Sequence, residues 1–147
     1  MLPNPNSGIG AAALPNGDIV IVFNDSRASD DMKRREGLYD DITPDSDKRV
    51  NQPEVNGRTA IWGTPRKALS LGISKDDGKT WKYKVLEDGD GFCLTNNSKE
   101  RSNRELSYPS IFLDSSTGDK AIHVAYTYLR QNIKYVHIKD VEQFINT

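Results

Sequence analysis

The sequence predicts an all-β chain of short antiparallel strands, and three observations carry that expectation. Seven short runs are either β-branched throughout or alternate apolar with polar residues, and each is bounded by turn residues. The octad Ser74-Lys75-Asp76-Asp77-Gly78-Lys79-Thr80-Trp81 has the chemistry of a tight strand-to-strand turn. Only residues 140–145, with Val141, Phe144 and Ile145 apolar, show helical spacing.

Taken in order, residues 7–14 are small and apolar, and Leu14-Pro15-Asn16-Gly17 is a turn signal. Residues 18–24 form a β-branched run, so the two segments read as a hairpin. The unbroken apolar character of Ile19–Phe23 suggests a strand covered on both faces. Residues 25–65 are charged and rich in Asp, Arg, Pro and Asn, and read as a long loop insertion. Alternation returns from Arg66 to Ser74, with Leu69, Leu71 and Ile73 on one face. The octad then turns the chain into Trp81–Leu86, completing four strands. A second polar loop fills 87–104. Residues 107–113, 121–128 and 133–138 read as three further strands, so a second four-stranded unit lacks one edge.

Composition excludes several function classes. Lys and Arg total 20 against 21 acids, a balance that gives no field for nucleic acid or an anionic membrane. The basic run Lys33-Arg34-Arg35 is offset by Asp30, Asp31 and Glu36 and reads as a solvated loop. No apolar run approaches the ~20 residues of a membrane span and no signal peptide is legible, which leaves the location undetermined. The single cysteine, Cys93, has no partner for an internal disulfide. Asn24-Asp25-Ser26 and Asn96-Asn97-Ser98 fit the glycosylation acceptor pattern. His123 and His137 lie in strand patterns without an evident third ligand, so no metal site and no cofactor are expected.

The octad fills every fixed position of S-x-D-x-G-x-T-W and resembles the Asp-box of the sialidase-like (BNR repeat) β-propellers. Its physical logic is visible: Ser74 and Asp76 can bond turn backbone, Gly78 permits positive φ, and Trp81 can fold back as an apolar plug. Other segments are similar to the same family. Asn4-Pro5-Asn6-Ser7-Gly8 with Leu14–Asp18 and Val22-Phe23-Asn24 resembles the strand-turn-strand before the last box. Arg66 with Leu69-Ser70-Leu71 resembles the segment holding the third arginine of the carboxylate-binding triad. Ser107-Tyr108-Pro109-Ser110-Ile111 resembles the tyrosine segment, and residues 122–127 with 133–136 resemble the final blade. The resemblance implies a partial β-propeller, about two four-stranded antiparallel blades of a six-bladed sialidase-type propeller, with residues 1–147 as its C-terminal part. The family's first and second arginines, its aspartate acid and its glutamate base find no match, which implies a chain inactive alone.

The resemblance also implies a site. A sialic acid carries a carboxylate on its anomeric carbon, which a guanidinium fork can clamp in a bidentate pair; Arg66 is assigned that substrate-binding role. A neutral tyrosine approaches such an anion without the repulsion a carboxylate nucleophile would meet, and sialidases use one; Tyr108 is assigned as that catalytic nucleophile. In an up-down blade, the start of the first strand, the end of the second and the start of the third share one face. Tyr108, Arg130 and Arg66 occupy those places, and Arg130 is the second substrate-binding candidate. Glu105, three residues before Tyr108 in an extended segment, is expected to point to the opposite side. The implied ligand is an acidic glycan or sialoside, and open blade edges imply self-association. A proline after Tyr108, where serine is usual in the family, leaves open a glycan-binding or lyase-type propeller and a truncated remnant alongside the glycoside hydrolase.

Overall fold

The computed structural model describes residues 1–27, 64–89, 91, 93–94 and 105–147. It is all-β apart from one terminal helix: β1 (Gly10–Ala13), β2 (Ile19–Asn24), β3 (Leu69–Ser74), β4 (Lys82–Glu87), β5 (Leu106–Leu113), β6 (Ile122–Tyr128), β7 (Asn132–Ile138) and α1 (Val141–Asn146). Two antiparallel sheets form, in the orders β1-β2-β3-β4 and β5-β6-β7. This is the four-plus-three arrangement expected of two blades. The loop expected over 25–65 lies, from 28 to 63, outside the described residues, as does most of the 87–104 segment. The roots of the first are fixed: Ser26 Oγ donates to the Pro65 carbonyl (3.0 Å) and Asp25 N–H to the Ala68 carbonyl (2.8 Å). Among the described residues, no helix is long and apolar enough to cross a membrane.

Strand period explains how the sheets stack. Val20 and Val22 of β2 and Leu69, Leu71 and Ile73 of β3 meet Leu106 of β5 and Ile122, Val124 and Tyr126 of β6 in one buried core. Each such side chain contributes roughly 1.5–3 kcal/mol by leaving water. All six residues of β3 are buried, because Phe23 and Tyr83 close its far side with rings packed edge to face at 5.4 Å. Gly10 of β1 lies against β5 so closely that a Cβ there would stand 3.0 Å from the Pro109 carbonyl oxygen. Helix α1 is capped by Asp140, whose carboxylate accepts from Gln143 N–H (2.9 Å). Glu142 ties α1 to the sheet through ion pairs with Lys75 and Lys120.

The turn after β3 has the bonding its sequence predicts. Ser74 Oγ accepts from Gly78 N–H (2.9 Å), and Asp76 accepts from Thr80 N–H (2.8 Å) and Thr80 Oγ1 (2.6 Å). These bonds hold the Asp76 carboxyl below its ordinary range, the Thr80 hydroxyl most of all. Gly78 takes φ +81°, and the Trp81 indole folds back to donate to its carbonyl (2.9 Å).

Candidate functional site

The end of the molecule opposite this turn is assembled from four segments. The register pairs Asn24 with Leu69 and Leu106 with Tyr128, which brings the end of β2, the start of β3, the start of β5 and the end of β6 together. Arg66 and Glu105 form a parallel bridge between the two sheets, and Leu106 N–H donates to the Arg66 carbonyl (2.8 Å). The buried Asn24 amide completes the junction. Its Nδ2 donates to the carbonyls of Arg66 (3.1 Å) and Leu106 (2.8 Å), and its Oδ1 accepts from Ser7 Oγ (2.7 Å). Asn24 therefore cannot serve as a glycosylation acceptor in this fold, whatever the pattern around it suggests. Asn96, the acceptor of the other pattern, lies outside the described residues.

On this platform the three residues singled out from sequence converge. The Arg66 guanidinium lies over the Tyr108 ring, its carbon 5.5 Å from the centroid. Arg130 Nε donates to Glu105 Oε2 (2.8 Å), and Arg66 Nη1 stands 3.7 Å from Glu105 Oε1, an ion pair outside hydrogen-bond distance. Ser107 Oγ donates to the same Oε1 (2.7 Å). Glu105 is buried while Tyr108 is exposed, and Glu105 has a role that sequence reasoning did not assign it: it is the carboxylate hub that both arginines share. The strand between the two is not regular. Ser107 pairs with Thr127 and Ser110 with Ala125, so Tyr108 and Pro109 together face Tyr126 in a bulge. Proline, with no N–H to leave unpaired, suits that place. A sequence signal existed in Glu105 itself, an acidic residue directly before an apolar strand and close to both candidate segments.

The turn after β3 also has a non-glycine residue at positive φ, Asp77 at +56°, a residue type that tolerates it, whereas the residues here are of types that do not. Tyr108 adopts φ +53° without being glycine, and so do Ala68 (+54°), Leu129 and Arg130 (both +53°). Gln131 N–H donates to the Tyr128 carbonyl (3.0 Å), making Leu129-Arg130 a two-residue turn with both φ positive, the geometry usually filled by Asn-Gly. Tertiary contacts impose it. Leu129 is buried, its N–H donates to the Glu105 carbonyl (2.7 Å), and its carbonyl accepts from Leu94 N–H (3.0 Å). Such strain costs roughly 1–2 kcal/mol per residue and aims Arg130 at Glu105 and Tyr108 at solvent, where 64% of it is exposed.

Electrostatics follow from the hub. Burial disfavours charge on Arg130 more than any other single influence, yet the hydrogen bond and charge of Glu105 together raise its pKa. Cys93, fully buried with its thiol 3.8 Å from Glu105 Oε2, is pushed up to about 11 by burial first and Glu105 second, so it is a protonated, packed thiol. Among the described residues, two guanidiniums against one carboxylate leave a net positive centre beside an exposed aromatic ring. That arrangement suits an anion carrying an apolar or ring face. A cleft of about 200 Å³ lined by Ile73, Lys75, Thr80, Lys82 and Glu142 lies at the other end of β3 and contains none of these residues.

No curated protein and no solved structure matches this chain. The model of the BNR repeat-like domain matches residues 1–124, a span that includes Arg66, Glu105 and Tyr108 and stops short of Arg130. With β1 to β5 and the start of β6 covered and two antiparallel sheets of the expected kind, the chain belongs to the BNR repeat-like domain family.

Proposed function

We propose that this chain carries the carboxylate-binding end of a sialidase-type propeller acting on acidic sugars, with Arg66 as the main clamp, Arg130 beside it and Tyr108 facing the anomeric carbon. One observation carries the reading: Arg66 and Arg130, from separate segments, both pair with Glu105, and Arg66 lies over the ring of Tyr108 from a third. Arg66 contributes a partly exposed fork whose ion pair to Glu105 is long, so a ligand carboxylate gains hydrogen bonds there without first breaking one to Glu105. Tyr108 as nucleophile needs a base for its phenolic proton. Glu105 is engaged by both arginines and by Ser107, which favours a second reading in which the same face binds an acidic glycan and does not cleave it.

Titration with N-acetylneuraminic acid and turnover of a fluorogenic sialoside test both readings. Binding on the order of 1 mM, weakened at least tenfold by Arg66→Ala, is the expected result. Hydrolysis abolished by Tyr108→Phe supports the glycosidase over the second reading; with the acid, the base and two arginines unmatched, binding without hydrolysis is expected of this chain alone under either reading. Affinity unchanged by Arg66→Ala, or no binding at all, overturns the site.

A further inference from the structure

The strongest cluster outside that site lies at the other end of the second sheet, where the two histidines stand on paired strands. His123 of β6 and His137 of β7 are direct cross-strand partners with rings stacked at 4.5 Å and 12°. Asp114 follows β5, and its N–H donates to the Ala121 carbonyl (3.0 Å), bringing its carboxylate to the same face. One donor atom from each of Asp114, His123 and His137 falls within 4.8 Å of the others.

We propose that Asp114, His123 and His137 form a surface site for a late first-row divalent transition cation of the zinc type. Two imidazoles and one carboxylate are the donor set such ions prefer over magnesium or calcium, which take oxygen shells. His123 Nε2 and Asp114 Oδ2 already stand 3.0 Å apart, close to the spacing of adjacent ligands at bond lengths of about 2.0–2.2 Å. Asp114 is held in place by its own turn: Oδ1 accepts from Ser116 N–H (3.0 Å) and Ser116 Oγ (2.5 Å), and Oδ2 from Thr117 Oγ1 (2.9 Å). The Tyr135 hydroxyl lies 2.5 Å from His123 Nδ1. When the ion displaces the proton between Nε2 and Asp114, the hydroxyl accepts a hydrogen bond from Nδ1–H and so favours the tautomer whose Nε2 lone pair a metal requires. The exposed His137 ring gives up its stacking on His123 and swings inward to become the third ligand. Solvent completes the shell, and the ion clips the end of β5 and both strands of the β6–β7 hairpin together.

Zinc titration by calorimetry, with cobalt absorption as a second readout of geometry, tests this on the whole chain. One ion per chain, a raised melting temperature on adding zinc, and affinity at least tenfold weaker in His137→Ala are the expected results. His137 is exposed, so that variant retains the fold, which circular dichroism verifies. Tyr135→Phe weakens binding by a smaller factor, because it acts through the orientation of His123. Equal zinc affinity in wild type and His137→Ala, or no stoichiometric binding by the wild type, overturns the proposal.

Discussion

The guanidinium of Arg66 covers the face of Tyr108 from 42 positions away in sequence, with 5.5 Å between guanidinium carbon and ring centroid. A stacked pair of this kind contributes about 0.5–1 kcal/mol at an exposed site, too little to fix either residue. What fixes them is below: Glu105 beside Arg66, the bulge at Tyr108, and Asn24 joining the backbone of Arg66 to that of Leu106 at the start of β5. The candidate site is thus held by its foundation rather than by its own contacts.

The strained backbone of Tyr108 has a measurable signature. Glycine in place of alanine ordinarily destabilises a strand by roughly 0.5–1 kcal/mol. At φ +53° the order reverses, so Tyr108→Gly is expected to be more stable than Tyr108→Ala by about 1 kcal/mol in urea unfolding. The usual order would show that the residue is not held in the left-handed region.

Asn24 is buried and its amide bonds two carbonyls on different sheets and one hydroxyl. Asn24→Ala orphans those groups and opens a small cavity. A loss of about 2–3 kcal/mol is expected, measured as a lower urea midpoint at unchanged slope. A loss under about 0.5 kcal/mol would mean water replaces the amide without cost.

Acid should unfasten the terminal helix. The Glu142 carboxyl is held down to about 2 from its ordinary 4.5 by the hydrogen bonds of Lys120 and Lys75. A carboxylate whose folded pKa is depressed stabilises above its unfolded value and loses that contribution as pH falls through the folded one. Stability should therefore decline between about pH 4.5 and 2, and Glu142→Gln should flatten that decline while lowering stability at pH 7. Thermal melts across this range are the check, and parallel profiles for both proteins would contradict it.

The outward face of the second sheet carries Phe112, Ile133 and Tyr135, each well over half exposed. An apolar patch of that kind, beside the edge of β7 that no described strand pairs, is expected to drive self-association. Sedimentation should show concentration-dependent growth in size, suppressed by Phe112→Lys with Ile133→Lys. Identical monomeric profiles for both proteins would remove the expectation.

The strands, their order and the turn after β3 were legible in sequence because each rests on local physics. Apolar periodicity places Val20, Val22, Leu69 and Leu71 on the core, and the turn is shaped by bonds among Ser74, Asp76, Gly78, Thr80 and Trp81 themselves. Counting strand directions placed Arg66, Tyr108 and Arg130 at one end, as the structure has them. Only the tertiary structure decided what joins them. The bulge at Tyr108 and Pro109 and the positive φ of Leu129 and Arg130 run against local preference, and arise because Leu129 must be buried and Glu105 must find partners. The same limit hid Asp114 from His123 and His137. Cross-strand register and the course of a turn set which side chains meet, and both are fixed by packing between segments rather than by the residues adjacent in the chain.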